Sequence, residues 1–204
     1  QIKVTVVKPL PSNYENLEKP QPPKPQINSS NSPETIQAML ELEKMSLDAN
    51  QASDLSKAIA TAKNVQRGEA NYQRARKNIQ VWSGMILNLA RNRAENMEYS
   101  NAIQTAELIG KEEPNYQEAQ KAINQWQVES KKYVSNKTLL EAAQALIKPS
   151  QASTYNRAIE VAKRVRSSEP GYNKAQESID RWSLEILQLA KNRANNKQYS
   201  SAIA

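Results

Sequence analysis

One phrase occurs three times and decides the fold: AIATAKNVQRGEANYQRARKNIQVW (58–82), AIQTAELIGKEEPNYQEAQKAINQW (102–126) and AIEVAKRVRSSEPGYNKAQESIDRW (158–182). Each copy has apolar residues at helical spacing, then a turn, then a second apolar stripe that ends on a tryptophan. A fourth copy begins at 202–203. This self-similarity predicts an all-α repeat protein, a solenoid in which each unit buries its apolar face against its neighbours.

The three copies are unevenly spaced. Trp126 follows Trp82 by 44 residues, and Trp182 follows Trp126 by 56 residues. A shift of 100 residues aligns the tripeptide QAS at 51–53 with its second occurrence, and about half of the positions from 51 to 103 are then identical. The true period is therefore a pair of units, and we expect long and short antiparallel helices to alternate.

The composition limits the class of protein. The chain has 204 residues, of which 38% are hydrophobic, and only four glycines. A mean hydropathy of −0.79 suits a thin helical array better than one deep core. The absence of Cys and His excludes disulfides, thiolate or imidazole catalysis and a zinc site of the usual ligands within this sequence. We expect no cofactor, no metal and no enzymatic activity.

The net charge is +7, with basic residues spread along polar helix faces and no run of five or six. Solvated faces are the favoured interpretation, and nucleic acid is not a favoured partner. Binding of an acidic polymer or an anionic membrane surface is kept as an alternative. No segment has the ~18 consecutive apolar residues of a membrane span.

Residues 1–32 form a segment of different character. QIKVTVVKPL (1–10) alternates like a short strand, although a plain extended leader is the alternative. Residues 11–32 contain five prolines and predict an extended linker. We therefore divide the chain into a Pro-rich leader, 1–32, and a helical repeat domain, 33–204, with an incomplete last repeat. We expect the leader to be held by a partner chain or by the repeats.

Helix-boundary signals give the expected elements. Ser32-Pro33-Glu34 combines a capping hydroxyl, a proline at the first helical position and an acid in the first turn, which predicts a helix start. Two short helices are expected to end at Gly68 and near Gly110. A long helix is expected from about 70 to 96, and a break in a later helix is expected at Ser135-Asn136. A helix is expected to continue to Pro149.

Aromatic residues recur at the same place in each phrase. The first long-helix stripe runs through Tyr72, Ile79 and Trp82 at helical spacing, which is typical of core residues rather than of a ligand platform. The Glu-Pro-x-Tyr turns at 113–116 and 169–172 contain helix-start residues. The predicted structural core comprises Tyr72, Trp82, Tyr116, Trp126, Tyr172 and Trp182.

The candidate binding residues are basic, and one of them, Arg93, lies on the apolar stripe. Arg91-Asn92-Arg93-Ala94 is repeated as Lys191-Asn192-Arg193-Ala194. An arginine on an apolar stripe needs a partner, because a lone buried guanidinium is costly. A structural pair with a carboxylate or with helix-end carbonyls is the favoured interpretation, and a repeated anion or carboxylate clamp on the concave face is the functional alternative. A clamp would recur once per hundred residues and be absent after Trp126.

Parts of the sequence resemble the tetratricopeptide (TPR) repeat. Ala90, Tyr99, Ala102 and Pro114 fit the family's spacing of small, aromatic and proline positions. The period of 44 or 56 differs from about 34 in that family. Position 93, usually aromatic there, is Arg. The resemblance implies a TPR-like right-handed α-solenoid that serves protein–protein interaction.

The phrases SQASTYNRAIEVAKRV (150–165) and EPGYNKAQESIDRWSLEILQLAKNRA (169–194) resemble cyanobacterial repeat proteins often described as chromosome-segregation ATPase-like. The resemblance covers about 40–204. It implies an extracytoplasmic location and a membrane tether outside this chain. It does not imply an ATPase, because the sequence has no glycine-rich phosphate loop. We expect a scaffold or assembly subunit, with self-association as an alternative.

Overall fold

The structure, a computed structural model, describes residues 31–200. In that range the chain forms seven helices and no strand: α1 (Pro33–Lys44), α2 (Ala52–Ala62), α3 (Tyr72–Glu95), α4 (Tyr99–Ala106), α5 (Tyr116–Ala145), α6 (Ala152–Ala162) and α7 (Tyr172–Asn195). The prediction of an all-α protein is confirmed for these residues. The predicted strand, most of the leader and the fourth phrase lie outside the described residues.

The described residues pack as two compact units. Unit 1 contains residues 31–89 and 105–119, and unit 2 contains residues 90–104 and 120–200. In unit 1 the largest buried apolar side chains include Met39, Leu42, Leu55, Ile79 and Trp82. These residues come from α1, α2 and α3, so each of the three helices contributes one face to the interior.

The core of unit 2 joins three helices. Ala143 of α5, Ala158, Ile159 and Ala162 of α6, and Trp182 of α7 form one buried cluster. The alanines leave room for the large indole, and small side chains at a helix contact allow the helix axes to approach closely. The short helix α6 is thereby fixed on the long helix α7.

Helix starts follow their sequence signals better than helix ends do. Ser32 caps α1 by accepting a hydrogen bond from the backbone N–H of Thr35 at 3.2 Å, so this predicted start is confirmed. The helix expected to end at Gly68 ends earlier, at Ala62, and Gly68 lies in the following connection with φ of 94°. The helix expected to continue to Pro149 ends at Ala145.

The predicted break at Ser135-Asn136 is wrong. Helix α5 continues through both residues as the longest described helix, with 30 residues. Asn136 is buried, and its side chain donates to Pro170 and Glu169 outside its own helix. An asparagine favours helix ends when its amide bonds the local backbone, but here the amide is used elsewhere and the helix continues.

Two long helices end in the same way one hundred residues apart. Met97 and Lys197 adopt left-handed φ values of 63° and 58°. After α3, the N–H of Glu98 bonds the carbonyl of Arg93 at 2.9 Å, and Gln198 bonds Arg193 in the same way after α7. This is the Schellman ending, which satisfies carbonyl groups left open at a helix C-terminus.

Candidate functional site

Each long helix is preceded by a nine-residue connection that has a glutamate at its seventh position. The connections are 63–71, 107–115 and 163–171, and the glutamates are Glu69, Glu113 and Glu169. Glu113 is buried. One of its oxygens accepts from the N–H of Gly110 and the other from Lys63 Nζ, both at 2.8 Å. The carboxylate therefore closes its own turn and attaches that turn to the end of α2.

The other two glutamates make related contacts. Glu69 accepts from the N–H of Ser32 at 3.0 Å, and hydrogen bonds from Thr35 and then Ser32 lower the pKa of this carboxyl. Glu169 pairs with Lys132 at 3.0 Å and accepts from the N–H of Arg166. Lys132 is the main cause of the lowered pKa of Glu169, with the Arg166 N–H a lesser one. These carboxylates therefore have a structural role in the connections, whereas the sequence indicated only that Glu113 and Glu169 belong to helix starts.

Asparagine side chains fasten the same connections to a preceding helix. Asn115 donates to the carbonyl of Gln80 at 3.2 Å and to Ser83 Oγ at 2.8 Å, both on α3. The equivalent position before α7 is Gly171, which has no side chain to donate. There the asparagine comes from the long helix instead, as Asn136 donates to the carbonyl of Pro170 at 3.0 Å. The spacing of the repeated phrases did not predict that an asparagine on the long helix would replace the asparagine of the connection.

The four predicted binding residues lie near two helix ends. Arg193, in the last turn of α7, donates through Nη2 to the carbonyl of Ser150 at 3.1 Å. Ser150 has a left-handed φ of 72° in the turn before α6, so the guanidinium stabilises a helix-connecting turn. Lys191 is exposed. Arg93 occupies the same place at the end of α3 and is half-buried, with an interaction partner.

Arg91 lines a small hollow in unit 2. The hollow measures about 330 Å³, and its walls include Glu95 and Glu129 together with Tyr99 and Trp126. One guanidinium therefore shares the space with two carboxylates, and Arg91 already has a partner in the fold. This charge balance does not favour a carboxylate ligand, because like charges would oppose it.

The predicted aromatic core divides by residue type. The three tryptophans, Trp82, Trp126 and Trp182, are buried. The tyrosines are half-buried, and each is the first residue of a long helix: Tyr72 in α3, Tyr116 in α5 and Tyr172 in α7. A tyrosine at a helix start can bury its ring and keep its hydroxyl in water, which explains the difference in burial.

A groove of about 550 Å³ lies between α5 and α7 in unit 2. Its apolar part is formed by Tyr133 and Leu140 of α5, both half-buried, and by the buried Trp182 of α7. A Cβ placed on Gly171 would lie 3.6 Å from the Tyr133 ring, so α7 begins close to that ring. Trp182 was predicted only as a core residue. None of the other three was a predicted binding residue, because tyrosine, leucine and glycine carry no chemical signature in a sequence.

Charged and polar side chains surround the apolar part of the groove. The exposed ones are Lys137, Glu141, Gln144, Lys174, Glu177 and Arg181. Lys137 lies 3.9 Å from Glu141, one helical turn away, and both side chains remain more than half exposed. Three cations and two carboxylates give mixed charge, which can pair with both signs on a ligand. A concave surface of this size, with an apolar base and a few polar groups around it, has the features of a binding site.

Residues 31–200 contain no cluster of three or more acidic side chains arranged to hold a metal ion. Of the seven described helices, none combines the length and the hydropathy needed to span a lipid bilayer. Comparisons of the chain with family models, with curated proteins and with solved structures found no match.

Proposed function

We propose that the chain is a non-enzymatic scaffold or assembly subunit that binds other proteins through a helical surface. In this proposal the helices form a TPR-like α-solenoid of alternating long and short members, preceded by an extended Pro-rich leader. On the resemblance described above, we further propose an extracytoplasmic location, with a membrane tether outside residues 1–204.

The groove between α5 and α7 is the observation that carries the proposal. Its volume of about 550 Å³ could enclose one or two apolar side chains of a partner segment against Trp182, Tyr133 and Leu140. The surrounding ring of both charge signs could then orient that segment. An apolar anchor inside a polar rim is the usual arrangement at protein interfaces.

The charge pattern favours a protein over a polyanion. A nucleic-acid or anionic-lipid surface needs a field of one sign, whereas Glu141 and Glu177 interrupt the cations of the groove. We therefore expect peptide binding to persist when the salt is raised to a moderate concentration. Binding of an acidic polymer would instead fall steeply with salt.

Peptide-phage selection on the immobilised full chain tests the proposal. Selected peptides should contain an apolar residue flanked by charges, and Arg181→Glu should weaken their binding at least tenfold. Arg76→Glu, an equal charge reversal at an exposed position of α3 in unit 1, is the matched control and should leave binding unchanged. Enrichment of no peptide, or equal loss in both variants, would refute the groove as the binding site.

Self-association is the second candidate function. It is favoured by a separate observation, an exposed apolar surface on α7, with Leu184 and Leu187 among the exposed large hydrophobic residues.

A further inference from the structure

The face that forms the groove between α5 and α7 is also open in unit 1. Four exposed residues of α1 and α3 each precede a residue of the groove by one hundred positions: Gln37, Glu41, Arg74 and Lys77. More than one hundred residues follow them in the chain. The repeats that come later therefore leave this face of unit 1 uncovered, and the groove of unit 2 is open on the equivalent face.

One glycine deepens this face in unit 2. In unit 1, Asn71 is buried, and its side-chain amide donates to Met39 Sδ on α1 at 3.4 Å. The equivalent residue before α7 is Gly171, which has no side chain, and a Cβ placed there would lie 3.6 Å from the Tyr133 ring. The space that an asparagine fills in unit 1 is therefore part of the groove in unit 2, beside an aromatic ring.

Helices α5 and α7 run in the same direction along the groove. A Cβ on Gly171 would lie 3.6 Å from Tyr133 and 3.9 Å from the Asn136 Cβ, which fixes one end. Trp182 packs in one cluster with Ala143, which fixes the other end. Because a helix rises 1.5 Å per residue, the two apolar residues of α5 that line the groove, seven positions apart, are about 10 Å apart along it.

Charged side chains of the two helices lie at matching levels along the groove. Counted from the Tyr133 end, Glu141 on α5 and Glu177 on α7 lie about 12 Å and about 9 Å along it. Lys137 and Lys174 lie closer to that end, at about 6 Å and about 4 Å. A carboxylate from each helix therefore stands just beyond the apolar base, where a single cation of a ligand can pair with both.

The Pro-rich leader contains a segment with the same spacing, Lys19-Pro20-Gln21-Pro22-Pro23-Lys24-Pro25. It lies outside the described residues. Four prolines among six residues predict a polyproline II helix, with three residues per turn and a rise of about 3.1 Å. Pro20 and Pro23 then share one side, about 9 Å apart, and Lys24 follows about 12 Å from Pro20. These distances match the apolar base and the carboxylates of the groove.

We propose that residues 20–24 of a second copy of this chain bind in the groove. Pro20 packs on the Tyr133 ring at one end. Pro23 packs on Leu140, and the lysine that follows it reaches the two carboxylates. A polyproline II segment is already extended before it binds, so it loses little conformational entropy in a groove lined by an aromatic ring.

The tether favours a second copy over the same chain. Ser32 is fixed in unit 1, where its N–H donates to Glu69 at 3.0 Å. The eight residues from Lys24 to Ser32 span at most about 29 Å, which restricts the leader's reach within its own chain, whereas a second copy has no such restriction. Each copy can donate a leader and receive another, so the contact is heterologous. This inference rests on the proposed function, because it names the segment that occupies the same groove.

Disulfide trapping tests the proposal, and the cysteine-free sequence makes the trap specific. Full chains with Gln21→Cys are mixed with full chains with Lys174→Cys, at about 100 µM each and with oxidised glutathione as the oxidant. The proposed register places both positions about 3–4 Å from the Tyr133 end. We expect a mixed dimer, identified by mass spectrometry. Arg76→Cys, at an exposed position of α3, is the matched acceptor and should be trapped about tenfold less.

Variants of the leader test the register. Lys24→Glu should reduce trapping about tenfold, and Glu141→Lys/Glu177→Lys in the acceptor chain should restore it. Lys19→Glu, an equal charge reversal before the first proline, should not reduce trapping. Pro20→Ala/Pro23→Ala should reduce trapping more than Pro22→Ala/Pro25→Ala, although both remove two prolines, because only the first pair faces the groove.

The outcomes separate this proposal from the one on which it rests. Trapping no greater than with Arg76→Cys, or equal effects of the two charge reversals, would overturn the assignment of the leader. A disulfide that forms only within single chains carrying both cysteines would overturn the assignment to a second copy. If selected peptides bind and respond to Arg181→Glu while the leader is not trapped, this proposal fails alone. If no peptide binds either, both proposals fail.

Discussion

Trp82 offers the strongest test of how the interior of unit 1 is built. Its side chain is 1% exposed. A buried tryptophan removes about 200 Å² from water, and at about 25 cal/mol per Å² this burial contributes up to ~5 kcal/mol. Trp82→Ala loses that contribution and leaves a cavity that packing only partly fills. We expect the variant to lower the free energy of unfolding by about 3–5 kcal/mol.

Phenylalanine at the same position should cost much less. The indole nitrogen of Trp82 is buried and has no hydrogen-bond partner among the described residues. An unsatisfied buried donor costs about 1–3 kcal/mol, so removing it offsets part of the lost ring area. Trp82→Phe should therefore lie within about 1 kcal/mol of the wild type.

Urea unfolding followed by far-ultraviolet circular dichroism measures both variants, because helix content does not depend on the tryptophan fluorescence that the substitutions remove. With an m-value of about 2 kcal/mol per M, Trp82→Ala should lower the midpoint by roughly 1.5–2.5 M. A loss below about 1 kcal/mol for alanine would refute the core assignment. A phenylalanine variant as unstable as alanine would refute the reasoning about the indole nitrogen.

Three further predictions concern polar contacts. Stability should be level above about pH 5 and fall below pH 4.5, because the lowered pKa values of Glu69 and Glu169 make the unfolded chain bind protons first. Arg193→Gln should lower the melting temperature by about 2 °C, since the Ser150 carbonyl loses its donor, whereas exposed Lys191→Gln should leave it within about 1 °C. Ser32→Ala should cost about 1 kcal/mol through loss of the α1 cap.

The controls for these predictions lie in the same chain. Glu169→Gln should weaken the acid dependence, because glutamine cannot take up the proton, and an unchanged slope would contradict the sign of the pKa shift. Equal effects of the Arg193 and Lys191 variants would contradict the hydrogen bond to Ser150. Ser46→Ala, at an exposed serine outside the helices, should be neutral and controls for composition. Urea titration and thermal melting provide the measurements.

The all-α class and the tryptophan positions were predictable because they depend on local spacing. Apolar residues three and four apart form a stripe in any helix, whatever its neighbours. The start of α1 at Ser32-Pro33-Glu34 was also predictable, because a helix cap acts within one turn. Helix ends were less predictable. Gly68 looked like a helix end, but α2 stops at Ala62 and the nine-residue connection follows.

The polar contacts that fasten the helices could not be predicted, because each joins residues far apart in sequence. Asn136 lies 33 residues before Glu169, and Lys63 lies 50 residues before Glu113. A sequence shows that a residue can donate or accept but not what it meets. The groove was not predicted either, because its apolar base consists of residue types that usually form ordinary core.

The uneven spacing of the phrases has a structural counterpart in the long helices. The 56-residue interval from Trp126 to Trp182 includes most of α5, which has 30 residues. The 44-residue interval from Trp82 to Trp126 includes the second half of α3, which has 24 residues. The beginning of α5 is bonded to α3 next to Trp82, at Ser83. The beginning of α7 is bonded to α5 ten residues beyond Trp126, at Asn136.

This displacement along α5 accounts for the position of the groove. Because α7 begins beside Asn136 rather than beside Trp126, the part of α5 that faces α7 is its later half, where Tyr133 and Leu140 line the groove. The arginine pattern predicted that a binding function would recur once per hundred residues and be absent after Trp126. The groove lies after Trp126. The surface to which we assign binding therefore belongs to the longer interval between Trp126 and Trp182, and not to the repeated arginines.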